Sequence, residues 1–138
     1  MATTVVFYDG VCGLCNGFVR FLLRRDPRGR LLFAPLQGET ARAILTARGH
    51  EPSNLDTIYV VAGWQSSQEH VLSRSSAVLH TFTQLGGAWP FLAGLGAAFP
   101  RSLADALYTF VARRRYRTFG RLESCPIPPP AWRQRFLE

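Results

Sequence analysis

The sequence predicts an α/β fold: a mixed four-stranded sheet flanked by helices, with a helical C-terminal extension. Three observations carry that expectation. A short β-branched and aromatic run, Thr3 to Tyr8, leads into a stretch with helical apolar spacing; the same strand-then-helix order repeats over residues 31 to 48; and two further short strand candidates precede another amphipathic stretch.

The first strand, Thr3 to Tyr8, stops at the turn Asp9-Gly10. From Cys15 to Arg25 the apolar positions Phe18, Val19, Leu22 and Leu23 fall on one helical face, and Arg24 and Arg25 suit the negative end of the helix dipole. Pro27 and Gly29 then end the helix. Leu31 to Ala34 is the second strand, and a helix from about Glu39 to Arg48 follows, with Gly49 closing it. Strand, helix, strand, helix implies a right-handed crossover with the first two strands parallel.

Thr57 to Ala62 and Glu69 to Ser73 form the next two strands, joined by the polar segment Gly63 to Gln68 as an antiparallel pair. Ser75 or Ser76 is placed to cap a helix from Ala77 to Leu85, whose stripe is Val78, Leu79, Phe82 and Leu85. A βαβα unit followed by ββα is the thioredoxin-like order. Beyond Gly86-Gly87 two more helices are expected, about Pro90 to Ala98 and Ser102 to Tyr116, parted at Pro100, and Pro128-Pro129-Pro130 favours polyproline II. Residues 1–138 thus read as one domain, with a core of about 3–85 and an extension of about 86–138.

Hydrophobic residues make up 47% of the chain and charged residues 18%, which argues for a packed core and against disorder. The first apolar run is too short for a signal peptide, and the 14 weakly polar residues from Gly86 to Phe99 fall short of the roughly 20 needed to cross a bilayer. A cytoplasmic location is expected. The net charge of +7 comes from 16 arginines and no lysine, but apart from Arg113, Arg114, Arg115 and Arg117 they are scattered. No nucleic-acid module accompanies them, so specific nucleic-acid binding is not expected. The cluster itself reads first as a solvated helix end complementing the dipole, and second as a weak contact with an acidic protein or anionic surface.

Three cysteines without a secretion signal point to chemistry rather than a disulfide framework. Cys12-Gly13-Leu14-Cys15 places two thiols three residues apart; where they open a helix, both sulfurs share one side of its first turn, within reach of a disulfide. The helix N-terminus lowers the pKa of the first thiol, which makes Cys12 the exposed nucleophile and Cys15, one turn deeper, its resolving partner. Asp9 would raise a neighbouring thiol's pKa, so its expected part is to accept the Cys15 proton or to cap the helix. The competing readings are two buried small hydrophobes or half of a zinc site, but only Cys125 and the isolated His50, His70 and His80 remain as further ligands. Cys125 is expected to be a packed cysteine rather than a further resolving thiol. Ser75, Trp89 and Tyr116 read as capping and core residues.

The stretch Tyr8-Asp9-Gly10-Val11-Cys12-Gly13-Leu14-Cys15-Asn16 resembles the signature of the DCC family (DUF393) of thiol–disulfide oxidoreductases, named for its aspartate and two cysteines. Later blocks resemble that family in order: Pro35-Leu36-Gln37, Ser75-Ser76-Ala77-Val78-Leu79, Leu85-Gly86-Gly87-Ala88-Trp89, the run from Ala112 to Arg121, and finally Cys125 and Arg135-Phe136-Leu137. The resemblance implies a thioredoxin-like fold with Asp9, Cys12 and Cys15 as the active-site set. The expected reaction is exchange with a protein or small-molecule disulfide without metal or organic cofactor, the reducing partner being a thioredoxin-type protein or glutathione. The alternative is a non-enzymatic interaction module that binds an acidic protein or membrane surface through the basic C-terminal helix. Better-known thioredoxin-fold enzymes carry a cis-proline just before the third strand, where this chain has Leu55-Asp56-Thr57, so a different substrate surface is expected.

Overall fold

Thr4–Tyr8 form β1, in which every side chain is buried; that demands cover on both faces of the sheet and places the strand centrally. The computed structural model describes residues 4–26, 29–50, 58–64, 67, 69–85, 87–120 and 133–137. The elements that follow are α1 (Gly13–Arg25), β2 (Leu31–Pro35), α2 (Glu39–Ala47), β3 (Tyr59–Ala62), β4 (His70–Ser73), α3 (Arg74–Thr83), α4 (Trp89–Ala97) and α5 (Arg101–Phe119). The sheet order is β2-β1-β3-β4, with β1 parallel to β2 and antiparallel to β3, and β3 antiparallel to β4. This is the thioredoxin-like arrangement the sequence predicts.

Strand alternation divides the core in two. Val6, Tyr8 and Val60 point to the side holding Val19, Leu22 and Leu23 of α1 and Ala77 of α3. Their neighbours Val5, Phe7, Tyr59 and Val61 point to the other side, against Ala41 and Leu45 of α2. Pro35 is tolerated at the end of β2 because only one side of that strand is paired along its length. Part of the other side is covered by the C-terminal segment. Leu137 N–H donates to Phe33 O at 2.7 Å, and the Phe136 and Phe33 rings lie 5.6 Å apart.

Of the boundaries that differ from expectation, three do so for evident local reasons. α1 starts at Gly13 rather than Cys15 because Cys12 caps it. α2 ends in a Schellman motif, His50 N–H donating to Leu45 O at 2.8 Å and Gly49 N–H to Thr46 O at 3.1 Å, so Gly49 (φ 79°) stands one residue beyond the cap. α3 begins directly after β4, with Arg74 at φ 55° making the switch, and no serine caps it. Ser75 is turned to α5 instead, where its hydroxyl and its N–H both donate to Asp105 Oδ1.

α5 lies against α1 and α3. Its inward residues recur at helical spacing: Tyr108, whose hydroxyl accepts Ile58 N–H at 2.8 Å, then Ala112 and Arg115. Trp89, at the start of α4, packs edge-on against Phe21 of α1 at 5.0 Å and beside Phe82 of α3 at 5.7 Å, the core role expected of it. Leu55 to Thr57, Cys125 and the proline run lie outside the described residues.

Candidate active site

Between β1 and α1 the chain is fixed by its own backbone and by Asn16. Cys12 N–H donates to Asp9 O at 3.2 Å, and the Asn16 amide donates to Gly10 O at 2.7 Å and Cys12 O at 2.9 Å. Gly10 N–H donates to Gln37 Oε1 at 3.0 Å, tying the turn to the end of β2. Cys12 is left at the N-cap of α1 with extended backbone (φ −87°, ψ 126°), where serine, threonine, aspartate or asparagine is usual. Its sulfur takes the place of their oxygen and accepts Cys15 N–H at 3.3 Å.

A thiol in this position ionises readily. A hydrogen bond from the Cys15 side chain stabilises the Cys12 thiolate and outweighs the upward push of burial. The Cys15 N–H, the charge of Arg115 and the Leu14 N–H add to it, and the Cys12 pKa falls from 9.0 to about 6. Cys15 is driven strongly upward by the same hydrogen bond, by burial and by the charge on Cys12. The two sulfurs therefore behave as one unit sharing a proton, held as a thiolate on Cys12 and a thiol on Cys15.

Exposure departs from expectation. Cys12 is 0% exposed, while Cys15 is half-buried. The Cys12 sulfur is turned inward by its capping bond, and the end of α5 lies over the first turn of α1, where Gly13 N–H donates to Gly120 O at 3.1 Å. Cys15 is the thiol that reaches a cavity of about 450 Å³, walled by Leu14, Phe18, Val78, Leu107 and Tyr108, with Asp9 and Arg115 also on its lining.

Asp9 is 2% exposed and accepts four donors. Oδ1 takes Val11 N–H at 3.1 Å and Gln37 Nε2 at 2.7 Å; Oδ2 takes Arg115 Nη2 at 3.0 Å and the Tyr116 hydroxyl. Burial pushes its carboxyl up, but the bonds from Tyr116, Gln37, Arg115 and Val11 prevail and hold it below the usual 3.8. The capping role expected of Asp9 is filled by Cys12, and Asp9 instead binds the N–H two residues on, within its own turn.

The arginine cluster is corrected in one member. Arg113, Arg114 and Arg117 are exposed, as a solvated helix end requires, whereas Arg115 is 3% exposed and enters the site because it shares the inward face of α5 with Tyr108 and Ala112. Its Nη1 also donates to Ala112 O at 2.6 Å. Tyr116 joins it on Asp9 rather than serving only as core. The sequence reading missed Arg115, Tyr116, Gln37 and Asn16 as site residues. The signal that finds Arg115 is its spacing of three from Ala112 and seven from Tyr108, which keeps it on their helical face.

Among the described residues no group of three or more histidine, cysteine, aspartate or glutamate side chains is arranged to hold a metal ion. Nor is any helix among them long and apolar enough to cross a membrane.

Residues 6–121 match the family model of the DCC1-like thiol-disulfide oxidoreductases. The chain is 36% identical over 133 residues to the uncharacterized protein YuxK of Bacillus subtilis (strain 168), covering 96% of this chain and 93% of that one. It is 32% identical over 123 residues to the DCC family protein At1g52590, chloroplastic, of Arabidopsis thaliana, covering 89% of this chain and 69% of that one. No solved structure matches it.

Proposed function

The chain belongs to the DCC1-like thiol-disulfide oxidoreductase family, and from that premise we propose that it exchanges disulfides through Cys12 and Cys15. The observation that carries this reading is the placement of the Cys12 sulfur at the N-cap of α1, where it accepts Cys15 N–H at 3.3 Å, a setting that lowers its pKa to about 6. In the proposed cycle the Cys12 thiolate attacks one sulfur of a substrate disulfide, the substrate S–S bond breaks, and the departing thiolate takes up a proton. Cys12 loses its negative charge in the mixed disulfide, which removes a main cause of the raised Cys15 pKa. Cys15 then gives up its proton and attacks the Cys12 sulfur, forming the Cys12–Cys15 disulfide and releasing the second substrate thiol. Two electrons pass from the pair to the substrate, and glutathione or a thioredoxin-type protein in a reducing cytoplasm returns them.

Because Cys12 has no exposed surface, attack requires the first turn of α1 to open from Gly120; the substrate approaches along the cavity that Cys15 lines. Asp9 acts as a positioning residue, holding the Arg115 charge beside both sulfurs. To accept the Cys15 proton it must first release one of its four donors.

Insulin reduction with glutathione as electron source tests the assignment. Cys12→Ser is expected to abolish turnover, and Cys15→Ser to stall as a covalent adduct on Cys12 visible by mass spectrometry. Undiminished reduction by Cys12→Ser would remove the proposal.

A further inference from the structure

α4 and α5 carry large apolar side chains on the side turned away from the core. On α4, Phe91, Leu92 and Leu95 recur at helical spacing and are 69%, 45% and 55% exposed. On α5, Leu103, Leu107 and Phe110 do the same at 48%, 61% and 55%. Phe99, between the two helices, extends the face and also lines the cavity beside Cys15. Leaving so many neighbouring apolar side chains in water is unfavourable, and such a patch marks a surface that something covers.

The charge around the patch indicates what covers it. Arg114 falls eleven residues after Leu103 and so continues the α5 stripe, its guanidinium stacked 4.1 Å from the centre of the Phe110 ring. Arg113 is exposed beside it. An apolar centre with arginines at its rim matches a bilayer interface, where side chains enter the acyl boundary while guanidinium groups meet phosphate and carboxylate headgroups.

We propose that the exposed face of α4 and α5 docks this protein peripherally on an anionic membrane surface. The face shares Phe99 and Leu107 with the mouth of the cavity beside Cys15, but the docking is argued from the exposed apolar and arginine side chains and stands whether or not Cys12 and Cys15 cycle.

Sedimentation of the full chain with lipid vesicles tests this. The wild type is expected to pellet with vesicles of equimolar phosphatidylcholine and phosphatidylserine, to bind phosphatidylcholine alone much more weakly, and to be released as salt rises. The double variant Phe91→Asp, Leu103→Asp, at exposed positions outside the cavity lining, is expected to lose vesicle binding while keeping the wild-type melting temperature. Arg113→Glu is expected to weaken partitioning by about fivefold or more. Wild-type protein left in the supernatant of the mixed vesicles overturns the proposal. If that protein is then a dimer split by the double variant, the face is a self-interface; if it is monomeric, the face binds no anionic bilayer.

Discussion

Arg115 and Asp9, 106 residues apart in sequence, form a buried ion pair with Nη2 3.0 Å from Oδ2 and side chains 4% and 1% exposed. Through it the last long helix is joined to the turn that presents the two cysteines, so the C-terminal extension is part of the candidate site.

Breaking that pair from one side leaves an uncompensated buried charge. Arg115→Met is expected to cost about 3–5 kcal/mol of unfolding free energy. Because the Arg115 charge also lowers the Cys12 pKa, the variant is expected to raise it. Urea unfolding and thiolate titration on the same sample check both, and an unchanged Cys12 pKa would show that Arg115 is structural only.

Asp9 makes acid stability diagnostic. Its folded pKa lies below its unfolded value, so its contribution is fully present above about pH 4 and is lost as pH falls through the lowered folded value. Asp9→Asn lacks that increment. The stability gap between wild type and Asp9→Asn is expected to be widest at neutral pH and to close in acid, as measured by denaturant unfolding at each pH. A gap independent of pH would contradict an ionised Asp9 in the folded protein.

The dithiol also leaves a signature in stability. The folded Cys12 pKa is about 6 against 9.0, so in the reduced protein its contribution is lost as pH falls from 9 through 6. Cys15 shifts the other way, and its contribution is lost only above pH 9. Relative to Cys12→Ser, the reduced wild type is expected to gain stability from pH 6 to pH 9 and to stop gaining beyond. A flat difference across that range would be inconsistent with a buried Cys12 thiolate.

A second buried carboxylate, Asp26, secures the C-terminal segment. It accepts Arg30 N–H at 3.1 Å and Leu31 N–H at 2.9 Å, and pairs with Arg135, whose Nε donates to Leu31 O at 3.0 Å. Asp26→Ala leaves the Leu31 N–H buried without this acceptor, an expected loss of about 1–3 kcal/mol. Chemical denaturation measures it directly.

Much of this arrangement is legible in the sequence, for identifiable reasons. The burial of Val5, Val6, Phe7 and Tyr8 follows from a β-branched and aromatic run without polar alternation, and α1 from the spacing of Val19, Leu22 and Leu23. Cys12 and Cys15 announce themselves by spacing and by their place between a strand and a helix. What eluded the sequence is tertiary. Arg115 sits among Arg113, Arg114 and Arg117, and only the inward face of α5 sets it apart. The burial of Cys12 depends on Gly120 settling over the first turn of α1, a contact that no local pattern encodes. The blocks that carry the family resemblance acquire a physical meaning here, since Gln37, Arg115 and Tyr116 within them are the donors that hold Asp9.

The central claim rests on the ionisation of Cys12, and ultraviolet thiolate absorbance of the reduced protein, titrated against pH with Cys12→Ser as the blank, reads it without requiring a reagent to reach the buried sulfur. One thiolate appearing with a midpoint near 6, absent from Cys12→Ser, is the predicted result. A first midpoint at about 8.5 or above, the range of an ordinary cysteine, would contradict it.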